Sequence, residues 1–125
     1  TLFDTWVQTF NTQLQTSLST DSRLALVDFY ESFKDQAANP AQYSYQNVTD
    51  PVCPATGQDA SGLPTYTFQT CTAQALSAKT PPTGATGGAD WWKSYGFADS
   101  FHPTPYGHQL MSQLTSRSLS RAGWY

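Results

Sequence analysis

The stretch GFADSFHPTPYGHQLMSQL, residues 96–114, decides how this chain is interpreted, because a short polar loop here joins a predicted strand to a predicted helix. The aromatic-rich segment WWKSYGFAD, residues 91–99, predicts the strand. Thr104 followed by Pro105 is typical of a helix N-terminus, with the threonine as N-cap. Apolar residues at helical spacing then predict that the helix runs to about Leu119.

The loop between the two elements carries an acid and a base. Asp99 stands at the carboxyl end of the predicted strand, where open α/β sheets build their sites. Pro103 biases the preceding His102 toward an extended backbone. A carboxylate and an imidazole three residues apart can then meet across the turn, so that the acid accepts the Nδ1 proton and Nε2 is free to act as a base. The alternative is that Asp99 only caps a turn and His102 is a solvated loop residue.

The rest of the chain predicts an incomplete α/β domain. Residues 2–18 read as an amphipathic helix, residues 23–29 as a buried strand, and residues 30–39 as a helix that ends before a proline. Residues 40–90 show no periodicity and hold most of the prolines and glycines. Two strands and three helices around such a segment do not close a parallel sheet, so we expect the chain to be part of something larger.

Two cysteines, Cys53 and Cys71, lie in this irregular segment. In a secreted protein such a pair predicts a disulfide, which would stabilise the fold by roughly 3 kcal/mol. Two free thiols in a reducing compartment are the alternative. A metal site is disfavoured, because neither cysteine has a partner at ligand spacing.

Composition limits the possible functions. Only 12% of residues are charged and the net charge is −3, so there is no basic surface for nucleic acid or for an anionic membrane. Few lysines and many Ser, Thr, Gln and Asn residues favour a secreted protein. The chain starts at Thr1, which suggests a processing boundary. An N-terminal threonine nucleophile is disfavoured, because a helix instead of a strand is predicted next to it.

Residues 98–113, ADSFHPTPYGHQLMSQ, closely resemble the last sequence block of the SGNH hydrolases, also called GDSL hydrolases. That block reads D-x-x-H-P and is followed by a helix that often begins T-x-x-G/A-H. Upstream, TFNTQL and ALVDFYESFKDQAANPAQYSYQNVTDPVC are similar to segments of secreted bacterial esterases and lipases in this family. These include autotransporter-borne esterases and haemolysin-like phospholipases.

The resemblance implies that His102 is the general base of a serine ester hydrolase and Asp99 its orienting acid. It implies a flavodoxin-like three-layer α/β/α sandwich, of which residues 1–125 are the C-terminal portion and residues 40–90 an insertion. The family's G-D-S nucleophile block and its oxyanion-hole blocks are absent. The serine is therefore expected on an N-terminal half, present as a separate chain or fragment.

By the same resemblance, the substrates are acyl esters or lipids, no metal or organic cofactor is needed, and the protein is secreted or lies at a bacterial cell surface. A phospholipase or acyltransferase of this family is an alternative, as is a non-catalytic secreted binding module whose D-x-x-H is incidental.

Several neighbouring residues have competing interpretations. Phe101, in the loop itself, is predicted to border the substrate. Ser100 is rejected as a nucleophile because its hydroxyl would have to reach a base only two residues away. His108 lies six residues from His102, which is not a productive metal-ligand spacing. Aromatic residues of the predicted strand are interpreted as core, with an acyl pocket as the alternative: Trp91, Trp92, Tyr95 and Phe97.

Overall fold

The structure is a computed structural model and describes residues 1–18 and 20–125. Helices dominate this part of the chain. The α-helices are α1 (Leu2–Leu18), α2 (Phe29–Ala38), α3 (Ala73–Ala78) and α4 (Pro105–Arg121). Short 3-10 helices cover Pro40–Tyr43, Phe68–Thr70 and Gly88–Ser94. Two-residue strands β1 (Gly57–Gln58) and β2 (Pro64–Thr65) pair antiparallel. The fold divides into two compact units, Thr1–Lys34 with Met111–Tyr125, and Asp35–Leu110.

Helix α1, in the first unit, forms over the predicted residues. The side chain of Thr1 accepts a hydrogen bond from the backbone N–H of Asp4, which satisfies one free donor of the first turn. Asp4 also accepts a hydrogen bond from the Tyr30 hydroxyl, and Gln8 donates one to that hydroxyl, so these two bonds join α1 to α2. No residue of α1 is buried, and Phe3 and Phe10 are 76% and 64% exposed.

The strand predicted for residues 23–29 is wrong for this chain. Residues 24–28 belong to no helix or strand, and α2 already begins at Phe29. The carboxylate of Asp28, inside the predicted strand, accepts the backbone N–H of Glu31 and so caps α2. A strand needs a neighbour that takes its backbone hydrogen bonds, and the described residues pair none with this segment.

The second unit packs α3 against the 3-10 helix Gly88–Ser94. Trp91 and Trp92 are 3% and 8% exposed, and their indole N–H groups donate to the Leu76 carbonyl and the Ser77 hydroxyl of α3. This contact overturns the strand predicted for residues 91–99. Consecutive side chains of a strand point to opposite faces, whereas a helical turn lets both tryptophans reach the same partner.

Only the end of that predicted strand is extended. Gly96 donates its backbone N–H to the carbonyl of Asn47, and Val52 and Cys53 donate theirs to the carbonyls of Phe97 and Ala98. These bonds fasten the segment on one side and lead directly into Asp99. The three-layer sandwich requires a parallel sheet, and β1 and β2 form the only sheet in the described residues. The sandwich therefore stays a prediction about this chain together with a companion segment.

The segment 40–90, predicted to be irregular, contains more structure than expected. It holds the small β1–β2 hairpin and α3, whose N-cap Thr72 accepts the backbone N–H of Ala75 through its side chain. Cys53 and Cys71 form the disulfide that the sequence predicts. Helix α4 begins at Pro105, directly after the predicted N-cap Thr104, and ends at Arg121, two residues beyond the predicted end.

No helix among the described residues is long and apolar enough to cross a membrane.

Candidate active site

Asp99 and His102 meet across a four-residue turn. The imidazole Nδ1 lies 2.8 Å from Oδ2 and 3.0 Å from Oδ1 of the Asp99 carboxylate. Oδ1 also accepts the backbone N–H groups of Phe101 and His102, each at 2.8 Å. The same carboxylate therefore caps the turn and holds the imidazole.

The two partners differ sharply in exposure. The side chain of Asp99 is 10% exposed, whereas that of His102 is 71% exposed. Nε2 of His102 makes no hydrogen bond to any described residue. A carboxylate that accepts the proton of Nδ1 leaves the lone pair on Nε2, and here that atom belongs to an accessible side chain.

The electrostatics favour the ionised form of the Asp99 carboxyl. Burial would raise the pKa of Asp99, but the hydrogen bonds from the Phe101 N–H and from the ring and N–H of His102 outweigh it, and the pKa lies below its ordinary value of 3.8. The carboxylate is thus charged at neutral pH. It can stabilise an imidazolium that forms when Nε2 takes up a proton.

Thr104 fixes the far end of the turn. Its side chain has no exposed surface, and its hydroxyl donates to the Tyr95 carbonyl at 2.7 Å while accepting the N–H of Gly107. Its backbone N–H donates to the carbonyl of Gly96, and the N–H of Ala98 donates to that of His102. These bonds close the loop from both ends, so the start of α4 and the extended segment hold His102 between them.

Gly107 allows the helix to approach the loop this closely. A Cβ on Gly107 would lie 2.8 Å from Cβ of Pro103 and 3.3 Å from the carbonyl oxygen of Gly96. Contacts under 3 Å force the backbone apart, so only glycine permits the observed packing of α4 on the His-Pro turn. Sequence analysis did not identify this role, although the glycine stands three residues after the N-cap.

The disulfide-linked segment supports the loop from its other side. Cys53 is hydrogen-bonded through its backbone to Ala98, the neighbour of Asp99. The hydroxyl of Tyr66 accepts the backbone N–H of Ser100 at 3.1 Å. Nothing in the sequence around Tyr66 indicates this contact, because it joins residues 34 positions apart.

An apolar cavity of about 210 Å³ lies beside the acid and was missed by sequence reasoning. Asp99 and Thr104 are the polar residues among those that line it. The rest of the wall is mainly hydrocarbon and sulfur: Val52, Cys53, Phe68, Cys71, Leu76 and Trp92. The predicted pairing of the two cysteines was the one available signal, since it brings Phe68 toward the segment of Val52.

The other predicted candidates lie in different surroundings. Phe101 is 62% exposed beside His102 and does not line the cavity. Trp91, Trp92 and Tyr95 are core residues as predicted, and Trp92 also forms part of the cavity wall. Phe97 is 36% exposed, so its assignment to the core is wrong. The hydroxyl of Ser100 makes no hydrogen bond to His102. The side chain of His108 is exposed on α4.

Two absences concern chemistry. Within residues 1–18 and 20–125, no serine hydroxyl is hydrogen-bonded to the imidazole of His102. The same residues contain no group of three or more His, Cys, Asp or Glu side chains placed to hold a metal ion.

Comparison with known protein families, with curated proteins and with solved structures gives no match for this chain.

Proposed function

We propose that this chain supplies the general base and the orienting acid of a serine ester hydrolase of the SGNH type. The observation that carries the proposal is the geometry at His102. Its Nδ1 is held by a buried carboxylate 2.8 Å away, while the ring as a whole is largely exposed. That is the arrangement in which an acid fixes the tautomer of a catalytic histidine.

The attacking atom is a serine hydroxyl on a companion segment. His102 Nε2 takes the hydroxyl proton as the serine oxygen bonds to the ester carbonyl carbon, and Asp99 stabilises the resulting imidazolium. The proton then passes to the leaving alcohol, and an acyl-enzyme remains. Water, activated by the same Nε2, hydrolyses it to the carboxylic acid and regenerates the serine. None of these steps requires a metal or an organic cofactor.

Exposed apolar side chains in the unit Thr1–Lys34 with Met111–Tyr125 support the proposal of a companion segment. Helix α1 buries none of its residues, and its apolar side chains Phe3, Trp6 and Phe10 are each more than half exposed. Such a continuous apolar face marks an interaction surface. Residues 24–28, which read as a buried strand, leave Leu24 and Leu26 about 40% exposed and pair with no strand among the described residues.

Substrate and location are proposed on separate grounds. The resemblance of residues 98–113 points to acyl esters or lipids, and the family includes esterases, phospholipases and acyltransferases. The disulfide between Cys53 and Cys71 is compatible with an oxidising compartment, which fits a protein secreted or held at a bacterial cell surface.

A fluorophosphonate probe, which reacts with activated serines, tests this function. In the assembled protein the companion segment should gain one label, while residues 1–125 should keep their unmodified mass. The label should be lost in His102→Ala. It should be retained in His108→Ala, the control, because His108 is also a histidine but lies on α4. A label on Ser100, or no label on any polypeptide of an assembly that hydrolyses esters, would refute the proposal.

A further inference from the structure

The cavity beside Asp99 offers a specific chemistry to a ligand. Val52, Leu76 and Trp92, each less than 10% exposed, form part of its wall together with the disulfide. All the residues that line the cavity lie in the unit Asp35–Leu110, so this unit alone forms it. Its volume of about 210 Å³ exceeds the ~150 Å³ of an engineered apolar cavity that binds benzene.

The polar side chains of the wall, Asp99 and Thr104, already make hydrogen bonds within the protein. The hydroxyl of Thr104 donates to the Tyr95 carbonyl and accepts from Gly107. The carboxylate of Asp99 accepts hydrogen bonds from Phe101 and from the ring and backbone of His102. A polar ligand would therefore lose its hydration without gaining a free side-chain donor, and an anion would also meet the negative charge of Asp99.

We propose that this cavity binds the unbranched hydrocarbon chain of an uncharged ester, up to about eight carbon atoms, and so sets the chain-length preference of the enzyme. The number follows from scaling a six-carbon ring in ~150 Å³ to about 210 Å³. The negative charge of Asp99 disfavours a free fatty-acid anion in the cavity, which would help the acid product to leave in the case that the acyl chain is the one bound. The catalytic part of this inference rests on the proposed function, whereas the binding part does not.

Ala73 gives a way to fill the cavity without touching the acid or the base. It lies in the first turn of α3, is exposed and lines the cavity. Ala73→Trp places a large side chain at that position. Ala78→Trp is the matched control, because Ala78 is also exposed, closes the same helix and does not line the cavity. Equal thermal unfolding of the two variants checks that both fold.

The binding experiment uses the assembled protein and the indole N–H resonance of Trp92 in a ¹⁵N spectrum. Titration with 1-octanol should shift this resonance in wild type and Ala78→Trp and leave it unchanged in Ala73→Trp. Sodium octanoate should bind at least tenfold more weakly than 1-octanol. No shift with 1-octanol, the same shift in Ala73→Trp, or equal binding of octanoate would overturn the proposal, and the first of these is expected if a companion side chain fills the cavity.

The kinetic experiment uses p-nitrophenyl esters with acyl chains of two to twelve carbons and a parallel series of alkyl acetates. In one series, kcat/KM should peak near eight carbons, and Ala73→Trp should lower that peak at least tenfold while leaving the two-carbon ester within about twofold. The series affected identifies whether the acyl or the alcohol chain is bound. An unchanged chain-length profile overturns the inference even if the enzyme is active, whereas octanol binding without any esterase activity refutes only the proposed function.

Discussion

The Asp99 carboxylate contacts His102 twice, once at the ring Nδ1 and once at the backbone N–H, both at 2.8 Å. Because one group restrains both the ring and the backbone of its partner, the orientation of the imidazole is coupled to the shape of the turn. A change that opens the turn should also release the ring.

Asp99→Asn should lower stability in a pH-dependent way. Since the folded-state pKa of Asp99 lies below its ordinary value of 3.8, its ionisation stabilises the fold above that value, and the contribution disappears as pH falls through the folded pKa. Denaturant unfolding should therefore show that wild type is more stable than Asp99→Asn at pH 7. The gap between their free energies of unfolding should narrow below about pH 4. A gap that widens toward acid pH would contradict the hydrogen-bonding pattern of this carboxylate.

Thr104→Val should destabilise the fold and lower activity. The substitution nearly preserves volume but leaves the buried Tyr95 carbonyl and the Gly107 N–H without their partner, at a cost of about 1–3 kcal/mol. Thr104→Ser keeps the hydroxyl, and its free energy of unfolding should lie within about 1 kcal/mol of the wild-type value. Equal stability of the Val and Ser variants would show that the hydroxyl does not hold the loop.

Gly107→Ala should destabilise the protein, although alanine is normally favoured over glycine in a helix by about 1 kcal/mol. The new methyl would lie 2.8 Å from Cβ of Pro103, and such overpacking costs roughly 1–3 kcal/mol. Ser112→Ala, at an exposed position of the same helix, is the control and should be neutral or slightly stabilising. A stabilising Gly107→Ala would mean that α4 does not contact the turn closely.

Removing the disulfide should weaken the support of the acid. The double variant Cys53→Ala with Cys71→Ala frees a loop of 18 residues and should cost roughly 3 kcal/mol, seen as a lower midpoint of thermal unfolding. Wild type in reducing buffer should show a similar loss. If neither change moves the midpoint, the segment that carries Cys53 does not brace Ala98 and Asp99.

Local sequence signals predicted contacts between residues close in sequence better than they predicted the fold. Thr104 and Pro105 marked the start of α4, and the three-residue spacing of Asp99 and His102 was enough to expect their contact, because a tight turn brings such residues together. Cys53 and Cys71 were paired correctly for a similar reason, since they are the only two cysteines and lie close in sequence.

Features that depend on distant partners were missed. Two consecutive buried tryptophans, Trp91 and Trp92, resemble a buried strand in composition, and their acceptors on α3 decide for a 3-10 helix instead. The segment 24–28 has strand composition but no described neighbour to pair with. The cavity depends on Phe68 and Leu76, which no local pattern connects to Asp99.

The most direct test of the central claim is the rate of ester hydrolysis by the assembled protein with His102→Ala, compared with His108→Ala. Removing the base of a catalytic triad costs about 10⁴- to 10⁶-fold in kcat, so His102→Ala should lose at least four orders of magnitude. Asp99→Ala should lose less, and His108→Ala should stay within about twofold of wild type. A His102→Ala protein that hydrolyses esters at a rate near that of wild type would contradict the account.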